Sequence, residues 1–174
     1  MRILGIDPGI GRCGFGLIET DGRANAKALD YGLITTTIDT PMPSRLKELY
    51  DSLREVFEQT KPEIVAVEKL FFSKNITTGI AVAEARGVVL LVAEQFGAKI
   101  REYTPNEIKK SLTGYGSAAK SQMQEMVRVH LGLGRKLKFD DTADALAVAI
   151  TCGFLYREDD IIELEKFSNT RRRK

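Results

Sequence analysis

The chain has 174 residues, of which 43% are hydrophobic and 29% charged, and its formal net charge is +2. This composition is typical of one soluble domain with a substantial core, and no apolar run approaches the ~20 residues of a transmembrane helix. Two cysteines and one histidine argue against a disulfide framework and against a zinc site. The N-terminus does not resemble a secretory signal, so we expect a cytoplasmic protein with free thiols.

Three strands are predicted at the start of the chain, over residues 2–7, 14–20 and 25–36. Asp21-Gly22 is a typical hairpin turn between the second and the third. The first strand is apolar but ends on Asp7, and a buried charge is costly unless it is paired or binds a metal ion. Asp7 is therefore either a solvated strand end or part of a site.

The middle of the chain alternates helices and strands. Leucines at helical spacing predict a helix over residues 43–60, ended by Pro62. The near-continuous apolar run 63–68 predicts a central strand that ends on Glu68. An unusually apolar helix at about 77–96 and a strand at 98–103 follow.

The last part of the domain is predicted to be helical. Thr104 and Glu107 form a capping pattern for a helix that begins at Pro105. Further helices are predicted at about 119–131 and 141–156. The predicted organisation is a single domain over residues 1–156 and a C-terminal extension over 157–174, a partly disordered basic tail.

This order of elements predicts a mixed five-stranded sheet flanked by helices on both faces, an α/β fold. A right-handed crossover from the third strand would place strand 63–68 parallel to strand 2–7. Asp7 and Glu68 would then end adjacent strands at the same edge of the sheet.

Two more carboxylates open the last helix, in "FDDTADALAVAI". Asp141 and Asp144 share a helix face, and the alanines beside them would let the helix approach the sheet closely. N-terminal capping would explain Asp140 or Asp141 alone, but it explains Asp144 less well. Four clustered carboxylates suit Mg²⁺ or Mn²⁺, and two such ions can activate a water and stabilise the leaving oxygen of an in-line phosphoryl displacement. The residues alone thus indicate a metal-dependent phosphoryl-transfer enzyme.

The charges are unevenly distributed along the chain. Residues 98–138 hold nine Lys or Arg against three Asp or Glu, and residues 139–165 hold one against eight. A basic stretch beside an acidic one suits a protein that binds phosphates in one place and cations in another, although plain solvated surfaces would give the same counts.

Five segments together resemble one family: "GIDPGIGRCGFGLIE", "VEKLFFSKN", "EARGVVLLVAEQFG", "TPNEIKKSLTGYGSAAKSQMQEMV" and "DDTADALAVAI". Over about residues 1–156 the chain closely resembles the RuvC family of bacterial Holliday junction resolvases. The resemblance implies a ribonuclease H-like fold and a homodimer. It also implies symmetric nicking of two like-polarity strands of a four-way DNA junction, in recombination and repair, with RuvA and RuvB as branch-migration partners.

The resemblance also implies roles for particular residues. The family's acidic metal ligands fall on Asp7, Glu68, Asp141 and Asp144, which would hold Mg²⁺, with Mn²⁺ able to substitute and two ions per site. Its lysines fall on Lys109 and Lys120, and its base-stacking aromatic residue falls on Phe71. Further candidate DNA contacts are Lys110, Lys74 and Asn75.

Several alternatives stay open at this point. The double "DD" leaves Asp140 as a rival to Asp141 for the ligand position, and we favour Asp141. Lys109 and Lys110 cannot be ranked as the residue that faces DNA. The rival functions are a related nuclease with another nucleic-acid substrate and a junction-binding protein without catalysis. A sugar-kinase or actin-like ATPase would need a second domain.

Overall fold

The computed structural model describes residues 1–21, 25–69, 76–135 and 137–156, with the backbone alone at 76–78. The predicted extension 157–174, Gly22 of the predicted turn, Phe71, Lys74 and Asn75 lie outside these ranges. No helix in the described part of the chain is long and apolar enough to cross a bilayer. The elements in chain order are β1 (Arg2–Asp7), β2 (Arg12–Thr20), β3 (Ala26–Thr35), α1 (Met42–Thr60), β4 (Ile64–Glu68), α2 (Ile76–Gln95), β5 (Lys99–Tyr103), α3 (Pro105–Thr113), α4 (Lys120–His130) and α5 (Asp140–Leu155).

The strands form one mixed sheet in the order β3-β2-β1-β4-β5. The first three strands are antiparallel neighbours, whereas β1 pairs with β4 and β4 with β5 in parallel. The predicted five-stranded arrangement is confirmed, including the crossover that places β4 beside β1. The structure differs mainly in β2, which begins at Arg12 rather than at residue 14.

Helices cover both faces of the sheet. Because side chains alternate between the two faces along each strand, each strand contributes to two cores. Leu4 and Ile6 of β1 pack in a core with side chains of α1 and α2. Ile3, next to Leu4 and pointing to the other face, packs in a second core with α3, α4 and α5. Residues of odd number in β1 therefore face α5.

Glycines let α5 approach the sheet closely. A Cβ on Gly5 would lie 2.0 Å from the carbonyl oxygen of Ala145, and one on Gly14 would lie 2.1 Å from that of Asp141. Real Cβ atoms do not approach so closely, so the α5 backbone occupies the space that side chains would need. The small residues on both elements thus fix the height of α5 above the sheet.

Local signals in the sequence set two helix ends. The Thr104 hydroxyl accepts a hydrogen bond from the Glu107 backbone N–H, and the Glu107 carboxylate accepts one from the Thr104 N–H, which confirms the predicted capping box of α3. Lys61, just before Pro62, adopts a left-handed conformation with φ 45° and ends α1. The two cysteines are buried free thiols, as predicted.

Candidate active site

Strand geometry brings Asp7 and Glu68 to the same place. Ile6 pairs with Val67 across the parallel strands β1 and β4, so Asp7 and Glu68 follow at the next position on each strand. Neighbouring strands lie about 4.8 Å apart. By the alternation of side chains, Asp7 shares the face of Ile3, and Glu68 shares the face of Ile64. Both carboxylates therefore lie on the face that α5 covers.

The first turns of α5 bring Asp141 and Asp144 over this edge of the sheet. Gly14 pairs with Asp7 across β1 and β2, and the Asp141 backbone lies directly over Gly14. A larger side chain at Gly14 would push the start of the helix away from the strand end. The close approach that the alanines of α5 predicted is therefore what places its carboxylates near Asp7.

Asp7 is the electrostatic centre of the group. Burial, followed by the negative charges of Asp144, Glu68 and Asp141, raises the pKa of Asp7 from 3.8 to about 7, while Lys120 acts in the opposite direction. A buried carboxyl surrounded by other carboxylates favours its neutral form. The site thus holds more negative charge than its surroundings offset.

The neighbouring acids show the same pattern. Burial, and then the charge of Asp144, raises the pKa of Glu68, opposed by Lys109. Burial also raises the pKa of Asp144, opposed by its hydrogen bond with Lys120 and reinforced by Asp140 and Asp141. Acids whose pKa values are raised in this way are typical of functional sites that bind cations.

Lys120, the first residue of α4, contacts two of the acids. Its Nζ lies 3.1 Å from Asp144 Oδ2 and 3.4 Å from Asp140 Oδ2. Asp140 also accepts a hydrogen bond of 2.6 Å from Gln124 Nε2, and its side chain is 62% exposed. Asp141, rather than Asp140, is among the charges that raise the pKa of Asp7. The geometry therefore favours Asp141 as the member of the central group.

Arg12 is a site residue that sequence reasoning missed. Its Nη2 lies 2.5 Å from Asp141 Oδ2. The observed start of β2 at Arg12 places this side chain on the same face as Gly14, toward α5. The signal available in the sequence was the alternation Arg12, Gly14, Gly16, but it requires knowing that α5 covers the glycines.

The donor set fits a hard divalent cation, although the acids are not gathered around one. Asp7, Glu68, Asp141 and Asp144 offer carboxylate oxygens, the ligands that Mg²⁺ and Mn²⁺ prefer. Within the described ranges, no three acidic, cysteine or histidine side chains are grouped closely enough to form a ready metal site. Asp141 is turned to Arg12 and Asp144 to Lys120. Cation binding would therefore exchange ion pairs for coordination.

A cavity of about 290 Å³ opens beside the acids. Glu68 and Asp144 form its acidic side, and Lys109 and Lys120 form its basic side. Its remaining wall is largely apolar, formed by Pro105, Ile108, Met123, Ala147 and Val148. Lys109 lines this cavity, whereas Lys110 is exposed and does not. Of the two lysines that the sequence could not rank, Lys109 is thus the one at the site.

The sequence matches a family model described as "Crossover junction endodeoxyribonuclease RuvC" over residues 3–152. Relatives with that name include one from Desulfitobacterium hafniense, 51% identical over 150 residues that span 86% of this chain and 90% of the relative. Another, from Brevibacillus brevis, is 47% identical over 151 residues, which span 87% and 90% of the two chains.

Solved structures agree with the sequence comparison. The fold matches "T. thermophilus RuvC in complex with Holliday junction substrate" with a TM-score of 0.84 and 36% identity, over 88% of this chain and 93% of that one. A yeast mitochondrial Holliday junction resolvase, with a TM-score of 0.63 and 15% identity, shares the fold. The sequence match, the sheet topology and the acidic edge agree, and the chain belongs to the RuvC family of crossover junction endodeoxyribonucleases.

Proposed function

We propose that this chain resolves four-way DNA junctions by metal-dependent, symmetric nicking of two strands of like polarity. The observation that carries the proposal is the group of four carboxylates at one sheet edge, bordered by two lysines, in a member of this family. Acids suited to a divalent cation and lysines suited to a phosphate meet at one point. That combination is what phosphodiester hydrolysis requires.

The proposed ligands of the cation are Asp7, Glu68, Asp141 and Asp144, and the proposed ion is Mg²⁺, two per site, with Mn²⁺ as a substitute. When bound, such ions supply an activated water and stabilise the leaving oxygen of an in-line displacement. The raised pKa of Asp7 supports this role, because a bound cation would stabilise the charged carboxylate against the burial and the repulsion that raise its pKa.

The lysines of the cavity act on the phosphate. The Lys120 ammonium, 3.1 Å from Asp144, is placed to offset the negative charge that develops during cleavage. Lys109, which lines the same cavity and acts electrostatically on Glu68, is placed to bind a phosphate oxygen and orient the strand. The apolar wall limits the water around these groups and strengthens their interactions with the phosphate. Phe71 remains a proposed DNA contact on the family resemblance, and Lys110, Lys74 and Asn75 remain proposed contacts on their charge and polarity.

Symmetric nicking requires two sites, and we propose that α2 provides the dimer contact. Ile80 and Leu91, 54% and 53% exposed, lie eleven residues apart and thus on nearly the same face of α2, separated by about 16 Å. Exposed apolar side chains aligned along a helix are typical of an interface. A cytoplasmic location and cooperation with RuvA and RuvB rest on the family resemblance alone.

The proposal is tested by a cleavage assay on a synthetic mobile four-way junction, with a linear duplex of the same arms as the control substrate. Each substrate is incubated with Mg²⁺, with Mn²⁺ and with chelator. We expect paired nicks at symmetric positions in the junction only, with either metal ion and not with chelator.

Two results would contradict the proposal. Equal cleavage of the duplex and the junction would indicate a related nuclease with a broader substrate. Tight junction binding without nicks, over a set of junctions of varied central sequence and with both ions, would indicate a binding protein without catalysis.

A further inference from the structure

Two cations and one aromatic ring form a patch at the start of α5. The Arg12 guanidinium carbon lies 5.5 Å from the centre of the Phe139 ring, and Lys138 Nζ lies 5.1 Å from it. Both distances fall within the range of cation–π contacts. The Arg12 side chain is 51% exposed, and Lys138 is exposed. We call Arg12, Lys138 and Phe139 the β2-side patch.

The β2-side patch lies across the carboxylates from the lysine cavity. Along the sheet edge the order is Arg12 on β2, Asp7 on β1 and Glu68 on β4, because the start of β2 and the ends of β1 and β4 share this edge. Glu68 and Lys109 both line the lysine cavity. Asp7 thus has positive charge on both sides of it.

The spacing suits a nucleic-acid strand. Two interstrand distances separate β2 from β4, which gives about 10 Å. A DNA strand in a duplex advances 3.4 Å per nucleotide along its axis, and its backbone winds around that axis, so adjacent phosphates lie farther apart than 3.4 Å and this edge spans about three consecutive phosphates. A phosphate over Asp7 would then have one neighbouring phosphate near Lys109 and another near the β2-side patch.

The side chains of the patch have donors left for a phosphate. Arg12 contacts Asp141 through Nη2, and a guanidinium carries five N–H donors in all. In the described part of the chain Lys138 forms no ion pair with a carboxylate, and its ammonium group contacts the Phe139 ring. The ring holds both cations near each other without neutralising either one.

We propose that the β2-side patch binds a phosphate of the cleaved strand, on the side of the scissile phosphate opposite to that bound by Lys109. This inference rests on the proposed function, since it uses the same strand and the same cut. It adds a second phosphate contact, so that the cleaved strand is held on both sides of Asp7. Arg12 would then serve two groups, Asp141 and the phosphate.

The test replaces single phosphates by uncharged methylphosphonates at each position around the cut in a four-way junction. Affinity is measured with chelator present, so that no cleavage occurs, for the wild-type chain and for Lys138→Ala, Lys109→Ala and Lys99→Ala. Lys99 is the matched control, because it is an exposed lysine at the start of β5, at the opposite edge of the sheet.

We expect the wild-type chain to lose affinity, about 3- to 10-fold, when a phosphate on either side of the cut is neutralised. In Lys138→Ala, neutralising the phosphate on one side should cost less affinity than it costs the wild-type chain, because only Arg12 still contacts that phosphate, and in Lys109→Ala the cost should fall for the phosphate on the other side. Such non-additivity identifies a direct contact. The slope of log affinity against log salt should also fall by about 0.9 in Lys138→Ala, and not in Lys99→Ala.

Two results would overturn the inference: Lys138→Ala behaving like Lys99→Ala at every position, or Lys138 and Lys109 coupling to the same phosphate. Cleavage of the unmodified junction by the wild-type chain with Mg²⁺ is measured in parallel. If the wild-type chain cleaves but Lys138 shows no coupling, this inference fails and the proposed function stands. If the wild-type chain does not cleave, the proposed function fails.

Discussion

At the scale of single residues, Asp7 destabilises the metal-free protein. Its folded-state pKa of about 7 lies above the ordinary aspartate value of 3.8, chiefly because of burial and then of the neighbouring acids. The folded state therefore binds a proton more tightly than the unfolded state does. Below about pH 4 the carboxyl is protonated in both states, and stability falls as the pH rises from about 4 to 7.

The first prediction concerns Asp7→Asn in the presence of chelator. The substitution removes the buried charge, so the variant should be more stable than the wild-type chain at pH 8, by on the order of 2–4 kcal/mol. The difference should shrink at pH 5, where the wild-type carboxyl is largely protonated. Urea unfolding at the two pH values measures this. Equal stability of the two proteins at pH 8 would show that Asp7 is not a repelled, buried acid.

A second prediction separates the roles of two lysines. Lys120→Ala should slow single-turnover cleavage at saturating enzyme by about 100-fold or more, because a charge that stabilises the transition state is lost, and should weaken junction binding only a few-fold. Lys110→Ala, an exposed lysine outside the cavity, should weaken binding without slowing the saturated rate. If Lys110→Ala slowed the saturated rate more than Lys120→Ala did, Lys120 would be a residue that only binds DNA.

The site could be predicted only in part from the sequence. The positions of Asp7 and Glu68 at strand ends followed from the apolar runs that precede them. The partners of Asp141 did not, because the contact with Arg12 depends on how far β2 extends and on which face α5 covers. The choice between Asp140 and Asp141 was open for the same reason. A helix face can be read from spacing, but its rotation over the sheet is set by packing.

At the scale of elements, the contact between α5 and the glycines of β1 and β2 positions half of the acids. Gly14 has no room for a Cβ, because the Asp141 carbonyl oxygen would lie 2.1 Å away. A methyl group there must move either the helix or the strand, since the three nearest atoms all belong to the backbone of Asp141 and Thr142. Gly5, Gly14 and Gly16 thus act through their packing against α5.

The third prediction follows for Gly14→Ala. The variant should be less stable by about 1–3 kcal/mol, a typical cost of overpacking, and should cleave junctions at least 10-fold more slowly, since Asp141 is displaced. Gly134→Ala is the matched control, because nothing lies within 4 Å of a Cβ at that position. Thermal unfolding and single-turnover rates measure both effects. Cleavage by Gly14→Ala at the wild-type rate would show that Gly14 is not needed to place Asp141.

The order of the strands was predictable because general rules limit it. A right-handed crossover leaves β4 beside β1, and the near-continuous apolar residues of β4 required a central position, as observed. The start of β2 was missed because Arg12 and Cys13 do not continue the apolar pattern of its later residues. They are in the strand because they pair with Thr35 and Ile34 of β3, and a distant pairing of this kind leaves no local signal.

At the scale of the whole molecule, the proposed symmetric nicking requires two copies of the chain, which gives a fourth prediction. Leu91→Glu places a charge on the exposed apolar face of α2 and should convert a dimer to a monomer in solution. Ile38→Glu is the control, because Ile38 is an isolated apolar residue, 80% exposed, outside the helices. Light scattering after size exclusion gives the mass of each. A dimer that survives Leu91→Glu would exclude this face as the interface.

The central claim is that the Asp7 carboxylate takes part in metal-dependent cleavage at the sheet edge. It is tested most directly by single-turnover cleavage of a four-way junction with Mg²⁺, at saturating enzyme, by the wild-type chain and Asp7→Asn, with junction affinity measured in chelator. We expect Asp7→Asn to bind the junction at least as tightly as the wild-type chain and not to cleave it. Cleavage by Asp7→Asn at the wild-type rate would show that the Asp7 carboxylate is not needed for metal-dependent cleavage.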